Sequence, residues 1–541
     1  MFKATRLSLF PVVLLIAAGV YGWLSTPLPT QSGIGPRFDW PDEMANYYFA
    51  QRYAQTGNLA SPEPLNVLAD NQIHPRSFNV LNGYIIPGSF LGLPIFYGLL
   101  AKVFGVGSLP YITPLLGVLG AAAFYGILRR IFSDQIARLS AILLLLHPAW
   151  WYYSVTPMLP NVAFISFLLF GLYFLLSPLP KQQPTQGVQL SRKPHRRSLG
   201  WVVGAGVCIG IAIAIRPAEL IWVVGVVIAA MMLARSELSF SRLALFGICI
   251  LGAIFPTIYQ QQLLYGSWIA TGYDQLQAAE TACTTCRLAG SLFAPFGVHP
   301  YLVGVNFWTH FLSRFWLWTL LGVLGFSAFL TRRTKPANRQ YGYLIVGLLV
   351  TMFLAIYYGS WEFDDKLTVA LNTLGVSYVR YWLPLYALSL PFVAMGLYWL
   401  SGLLRRRAAN VLLTMLVIGL LASSARLTLW EKPDSILPVR SRIAEYKNIA
   451  RQVNDRTEAE AVIITVRKDK VFFPDRRVVH SFDALSLRDD LQDVAYNLLS
   501  AVPVYYYALG EEPSEHIRTD LRLEEMQRFG SEILYQVKRA L

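Results

Sequence analysis

Charge is what this 541-residue chain has least of: only 14% of its residues are Asp, Glu, Lys or Arg. A soluble protein carries about a quarter, and mean hydropathy here is +0.43, so a wholly water-soluble chain is excluded. Cysteine is scarce too. Of the four, Cys208 and Cys249 lie in apolar runs as packing residues. Cys283 and Cys286, in "ETACTTCRLAG", are a lone CxxC with no second pair, which is too little for a zinc site. On an oxidising side of the membrane these two could close a small disulfide. There is no internal repeat and no sizeable low-complexity tract. No small-residue cleavage site follows the first apolar run, "LSLFPVVLLIAAGVYGWL", so with Lys3 and Arg6 ahead of it the run reads as a retained anchor.

What the sequence has in abundance is apolar runs. Hydrophobic residues make up 55% of the chain, and runs of about 17–22 residues, the length that crosses a bilayer, recur from residue 8 to 428. The expected fold class is mainly α, a polytopic transmembrane helix bundle. Eleven spans are expected, at 8–25, 109–128, 139–156, 162–178, 200–215, 218–234, 243–261, 313–330, 341–358, 381–400 and 409–427. The formal net charge of +14 would suggest nucleic acid in a soluble protein. Here it follows from the Lys- and Arg-rich loops held on the cytoplasmic side, and no nucleic-acid partner is expected.

Sidedness follows from the same rule. With the N-terminus inside, eleven spans put every basic cluster on the cytoplasmic face: Arg129, Arg130 and Arg138, "SRKPHRRS" at 191–198, Arg235 and Arg242, "TRRTK" at 331–335, and Arg405, Arg406 and Arg407. The acids Asp39, Asp42, Glu43, Glu63, Asp70, Asp274, Glu280, Glu362, Asp364 and Asp365 fall outside, and only Asp134 and Glu237 fall inside. The arrangement requires that residues 84–104, "YIIPGSFLGLPIFYGLLAKVF", do not cross. Pro87, Pro94 and three glycines weaken a continuous helix there, so the stretch is expected to lie along the outer interface. Three outer regions are long: 26–108, 262–312 and 359–380. After about residue 430 the pattern changes, with a helical "SRIAEYKNIARQV", strand-like "AVIITV", "RRVVHSF", "VPVYYYAL" and "EILYQV", and a helical "LSLRDDLQDVAYNLLSA". Two domains are therefore expected: a membrane domain over 1–430 with interfacial helices in its outer loop 26–108, and a small extracytoplasmic α/β domain over 431–541. The second shows no Gly-rich phosphate loop and no nucleophile motif.

The outer loop raises the question of function. "FDWPDEMANYYFAQRYAQTGNL" (38–59) packs Asp39, Asp42 and Glu43 into five positions after the first span. One reading is structural: Asp39 as N-cap, Asp42 as capping-box acid, and a Gly-type stop at "TGN". The other is chemical. A carboxylate beside an apolar slab suits deprotonation of an acceptor hydroxyl, directly or through a cation. A lipid-linked second substrate would need cations for its phosphate on the same face. His74 and Arg76 in "IHPRSFNVL", Arg216 in "AIRPAEL" and Arg380 in "SYVRYWLP" supply candidates. Each arginine has a plainer use in snorkelling or an ion pair, as in Arg216 with Glu219 at i,i+3. Tyr47, Tyr48 and Tyr381 are candidates to line the substrate, and they are equally placed to be interface aromatics.

These pieces, in order, resemble the GT-C superfamily of integral-membrane glycosyltransferases, in the style of its protein O-mannosyltransferase and lipid A aminoarabinose transferase branches. The resemblance rests on "PDEMANYYFAQRYAQTGNL", "HPRSFNVLNGYIIPGSFLGLPIFYGLLAKVFG", "AIRPAELIWVV", "YGSWIATGYDQL" and "YYGSWEFDD…GVSYVRYWLPLYAL", which span residues 40 to about 390. It implies a bacterial inner-membrane enzyme that moves a sugar from a polyprenyl-phosphate donor to a lipid, glycan or protein acceptor among the membrane lipids of the outer face. By position Asp42 is then the catalytic acid and Glu43 its partner, with His74, Arg76, Arg216 and Arg380 toward the donor phosphate. The resemblance leaves room for a divalent cation, Mg or Mn, with Asp42 as a ligand. One departure is clear: "WWYYSVTPMLPN", where the family often has an Asp, has Asn161 and tyrosines but no acid, which weakens the case for a metal. The rival classes are a transporter or lipid flippase, which would place ionisable residues mid-membrane, and a non-enzymatic assembly protein.

Overall fold

A computed structural model describes residues 9–27, 34–177, 179, 199–273, 295–332, 337–362, 372–512 and 516–540. Cys283, Cys286, Asp274, Glu280, Asp364, Asp365, Lys3, Arg6 and the 191–198 cluster lie outside the described residues. The chain is mainly helical, with strands within residues 61–87 and beyond residue 460. In chain order its elements are α1 (Leu9–Ser25), α2 (Pro41–Thr56), β1 (Ser61–Pro62), β2 (Phe78–Leu81), β3 (Tyr84–Pro87), α3 (Gly92–Phe104), α4 (Leu109–Leu128), α5 (Asp134–Leu146), α6 (Pro148–Val155), α7 (Pro160–Leu176), α8 (Gly200–Ile215), α9 (Leu220–Leu233) and α10 (Phe240–Tyr265). There follow α11 (Pro300–Phe307), α12 (Trp316–Thr331), α13 (Asn338–Gly359), α14 (Ser377–Tyr381), α15 (Leu383–Gly402), α16 (Arg406–Ala425), α17 (Ile436–Asn454), β4 (Val462–Val466), α18 (Asp469–Phe472), β5 (Arg477–Ser481), α19 (Asp489–Leu498), β6 (Val504–Ala508), β7 (Leu521–Phe529) and β8 (Glu532–Arg539).

Five of these helices are long and apolar enough to cross a membrane. The number rises to eight if three bent pairs each count as one span: α6 with α7, bent by 109°, α8 with α9, by 111°, and the 300–313 segment with α12, by 91°. The expected eleven spans do not appear as eleven full-length helices. Proline is the main reason. Pro148 ends the helix that was expected to run unbroken over 139–156, and Pro160 and Pro217 open new helical segments after a bend. Residues 84–104 do not form one long helix: they split into β3 and the 13-residue α3, about 20 Å of helix against a hydrocarbon slab of about 30 Å.

By internal contacts the chain divides into two compact units. One comprises residues 1–26, 110–256 and 281–438, the other 27–109, 257–280 and 439–541. Hydropathy places the expected boundary at residue 430; contacts group residues 27–109 with the C-terminal residues.

The first unit is a helical bundle. In it α12 and α15 approach closely, as Gly325 and Gly396 permit: a Cβ at Gly325 would run into the Phe392 carbonyl, and one at Gly396 into the Leu321 carbonyl. Small residues that let backbones approach are what hold helices together where the hydrophobic effect is absent. Cys208 and Cys249 are free thiols on α8 and α10.

The second unit is built on a five-stranded sheet in the order β5-β4-β6-β8-β7. β4 runs parallel to β5 and β6, and β8 runs antiparallel to β6 and β7. The central strands β4 and β6 are buried throughout, as strands covered on both faces must be. β7 carries "LRLEEMQRF" at the sheet edge; its charged residues hide it from hydrophobic patterning and suit a solvated edge. The core beside Val462, Ile464, Val504 and Leu491 also contains Ala69 and Ile73 of the first outer loop. In that loop β1, β3 and β2 form a small antiparallel sheet, and α2 lies against α3, where a Cβ on Gly98 would come 2.8 Å from the Ala50 carbonyl oxygen.

Candidate active site

The three acids of the opening stretch have three different surroundings. α2 starts at Pro41, so its cap residue is Trp40 rather than the expected Asp39. The capping-box acid is Glu43, not Asp42: its Oε2 accepts the Trp40 amide at 3.3 Å. The expected glycine stop is present, with Gly57 at φ +71° donating to the Tyr53 carbonyl. Asp39 is held by Arg442, whose Nε and Nη2 donate to its two oxygens at 2.9 and 2.6 Å, and by Lys470. Burial alone would raise the Asp39 pKa, but Lys470 and Arg442 overcome it and hold the carboxyl below its ordinary value. Glu43 is buried and goes the other way. Burial, with repulsion from Asp39, lifts its pKa to about 8, so at neutral pH it carries a proton. Asp42 is half-buried, and its Oδ1 accepts the Ser77 hydroxyl at 2.7 Å. Ser77 stands at φ +65°, a left-handed conformation that costs a non-glycine residue energy and is commonest at functional positions.

This assigns the pH behaviour of Glu43. Its folded pKa lies above the unfolded value near 4.5, so the folded state holds the proton more tightly. Stability is then greatest below the unfolded pKa and falls as pH rises through the window up to about 8. Glu43→Gln keeps an acceptor for the Trp40 amide and removes the titration. Its thermal midpoint should vary less between pH 5 and 9 than that of the wild type; an identical pH profile for the two would refute the assignment.

His74 and Arg76 serve the same unit. Arg76 donates through its backbone amide and its Nε to Asp469, at 2.9 and 2.8 Å, and through Nη2 to the Arg467 carbonyl at 2.7 Å. Asp469 is 1% exposed. Burial would raise its pKa, but the charge and hydrogen bonds of Arg76 keep it below the ordinary value. Arg76→Ala removes the guanidinium and leaves that buried charge with the backbone amide of residue 76 but no cation, so a loss of about 3–5 kcal/mol is expected, read as a fall in unfolding midpoint in detergent. A change under about 1 kcal/mol would contradict the pairing. His74 packs edge-on to His480 at 5.2 Å, and burial drives its pKa down to about 4, so it is neutral at pH 7 and offers a phosphate no charge. His74 and Tyr48 line one polar cavity of about 310 Å³ together with Glu63 and Arg477. Tyr48 donates to the Ser61 hydroxyl at 2.8 Å, and its ring sits among Phe49, Phe78 and Phe473. Tyr47 packs on Phe38 at 5.1 Å.

In the helical unit three of the candidates come together. Arg216, at the break between α8 and α9, donates to Glu219 Oε1 from Nε at 3.1 Å and from Nη2 at 2.8 Å. The i,i+3 pair anticipated from the sequence therefore forms. Tyr358 donates to the same Glu219 oxygen at 2.6 Å and accepts from Arg216 at 3.0 Å, while Trp222 Nε1 donates to Oε2 at 2.6 Å. The Tyr358 ring stacks on Tyr381, centroids 4.5 Å apart and 7° from parallel. The guanidinium carbons of Arg216 and Arg380 each lie 5.0 Å from the centre of the Tyr381 ring, and Arg380 Nη2 donates to the Tyr381 hydroxyl at 3.2 Å. Asn161, in the stretch without an acid, donates to the Arg380 carbonyl at 3.2 Å. Two buried guanidiniums beside one tyrosine can bind an oxyanion with charge and directed donors together.

The family model described as dolichyl-phosphate-mannose-protein mannosyltransferase matches residues 91–259, a segment that contains Arg216 and Glu219. Two solved structures of ArnT from Cupriavidus metallidurans are similar in fold. The one bound to undecaprenyl phosphate has TM-score 0.54 and 12% identity, covering 98% of this chain and 97% of that one; the apo one has TM-score 0.55 and 13% identity, covering 97% of each. The chain shares its fold with both ArnT structures. The resemblance in the sequence motifs is thereby met in three dimensions, over nearly the whole length of both chains. Archaeoglobus fulgidus AglB, in complex with an inhibitory peptide and a dolichol-phosphate, is more remote, with TM-score 0.47 and 13% identity over 92% of this chain and 69% of that one. Comparison with curated protein sequences gives no match.

A divalent cation can be tested on the donor set. Among the described residues no three His, Cys, Asp or Glu side chains gather as ligands. Asp39 is committed to Arg442 and Lys470, and Glu43 faces the Trp40 amide. Asp39 and Glu43 are thereby engaged elsewhere, and the chemistry derived below runs through Asp42 itself. Sequence reasoning missed Ser77, Tyr358 and Trp222. All three lay inside quoted motifs, but nothing in a hydropathy pattern marks a hydroxyl or indole N–H that contacts a carboxylate.

Proposed function

We propose that this chain is a multi-pass membrane glycosyltransferase that moves one sugar, hexosyl or pentosyl, from a polyprenyl-phosphate donor to a lipid, glycan or protein acceptor on the outer face of a bacterial inner membrane. The observation that carries this is the pair of guanidiniums, Arg216 and Arg380, on one tyrosine ring, in a chain that shares its fold with ArnT bound to undecaprenyl phosphate. In the proposed step an acceptor hydroxyl or amine attacks the anomeric carbon, its proton passes to the Asp42 carboxylate, and the bond from that carbon to the phosphate oxygen breaks with inversion. Arg216 and Arg380 stabilise the charge that grows on the leaving phosphate. Tyr381 supports both arginines. Asp42 takes the base role because Glu43 is protonated at neutral pH and Asp39 is tied to two cations. His74 and Arg76 keep no part in binding the phosphate, since one is neutral and the other belongs to Asp469.

The test is transfer from polyprenyl-phosphate sugars in detergent, comparing wild type with Asp42→Asn and Arg380→Ala. No transfer by the wild type with any such donor would reject the proposal. The sidedness, with the N-terminus cytoplasmic, eleven crossings and residues 431–541 outside, is checked separately. A reporter joined at residue 60 should be active only in its extracytoplasmic form, and cytoplasmic activity at that position would reverse the orientation.

A further inference from the structure

Between the start of α12 and the end of α16 lies a cavity of about 500 Å³ lined by Arg314, Arg426, Lys432, Glu431 and the tryptophans 316, 318 and 430. We propose that it binds the headgroup phosphate of an anionic glycerophospholipid, and this does not rest on the transfer chemistry above. Three cations here face one carboxylate. Glu431 is used by Arg314, with Oε1 3.1 Å from Nη1 and Oε2 closer still to Nη2, and Nη1 also donates to the Asn372 carbonyl at 2.6 Å. Among the described residues lining the cavity, that leaves Arg426 and Lys432, both exposed, with no second carboxylate to answer them. Two buried donors are also unanswered among the described residues: Arg314 Nε, and Nε1 of Trp318, which is 5% exposed. A buried N–H without an acceptor costs free energy, and a phosphate oxygen is an acceptor for either.

The position argues for a lipid over a soluble anion. α16 begins beside Arg405, Arg406 and Arg407 and α12 ends at Arg332, the basic ends that face the cytoplasm under the charge rule. The cavity lies at their opposite ends, where that rule disfavours cations, so a basic cluster there needs an anionic partner. Trp316 and Trp430, 61% and 60% exposed, are placed as interfacial indoles. From them exposed apolar side chains continue along both helices, Leu320 and Val323 on α12 and Leu421 and Ile418 on α16, a surface suited to acyl chains.

The experiment is native mass spectrometry of the full chain in detergent, titrated with phosphatidylglycerol or with phosphatidylcholine of the same acyl chains. The wild type should retain one phosphatidylglycerol about tenfold more tightly than phosphatidylcholine, and the Arg426→Gln/Lys432→Gln variant should lose that preference. Both side chains are exposed, so folding is preserved, and an unchanged unfolding midpoint verifies it. Equal retention of the two lipids, or a double variant that keeps the preference, overturns the proposal. Displacement of phosphatidylglycerol by inorganic phosphate at equal concentration also overturns it, because the site would then recognise the ion and not the lipid.

Discussion

Asp42→Asn is expected to lower turnover by about 10²–10⁴-fold, the range set by a positioned general base, with little change in donor KM. The substitution is nearly isosteric and leaves an oxygen to accept from Ser77, so the loss falls on proton transfer. Ser77→Ala is the companion variant. Its hydroxyl orients Asp42 without touching the reacting atoms, and it acts as a positioning residue. It should cost about tenfold in kcat and leave donor KM little changed, because the loss falls on the orientation of the base. Glu43→Gln should retain most activity, since that carboxyl already carries its proton at neutral pH. The three variants together separate chemistry from capping. If Asp42→Asn turns over normally while Glu43→Gln is dead, the roles are exchanged and the argument from burial fails.

What the sequence shows and what it hides follow from the range of the interactions involved. Local periodicity carried the apolar helices, the buried strands "AVIITV" and "VPVYYYAL", and the glycine stop of α2, because each depends on neighbours a few residues away. The α2 cap was misplaced by one residue because Pro41 fixes the first helical position, which moves the cap to Trp40 and the capping role from Asp42 to Glu43. The partners of Asp39 and Arg76 are separated from them by about 400 positions, at Arg442 and Asp469, and no pattern along the chain connects them. Arg216 and Glu219 were legible at i,i+3. The stack of Tyr358 on Tyr381, which brings two guanidiniums to one ring, was not. Eleven apolar runs stand beside five to eight helices or bent pairs long and apolar enough to cross among the described residues, because hydropathy measures composition, and bends of 91–111° at short breaks leave composition unchanged.

The arginines of the helical unit pose the second large expectation, because one substitution there does two things. Arg216→Ala removes a proposed phosphate ligand and also leaves Glu219 buried with only Tyr358 and Trp222 as donors. Breaking one side of a buried ion pair costs about 3–5 kcal/mol, whereas replacing both partners by apolar groups of similar size is often neutral. The double variant Arg216→Met/Glu219→Met therefore recovers the unfolding midpoint lost in Arg216→Ala. If Arg216 grips the leaving phosphate, donor KM stays raised and kcat stays depressed in the double variant, together at least about 100-fold in kcat/KM, or about 2.7 kcal/mol of transition-state stabilisation. Arg380→Ala should show a comparable kinetic loss, and Arg380→Lys should recover only part of it, because an ammonium cannot reproduce the guanidinium fork. A double variant that regains both stability and transfer would leave Arg216 as a structural partner of Glu219 and place the phosphate on other groups.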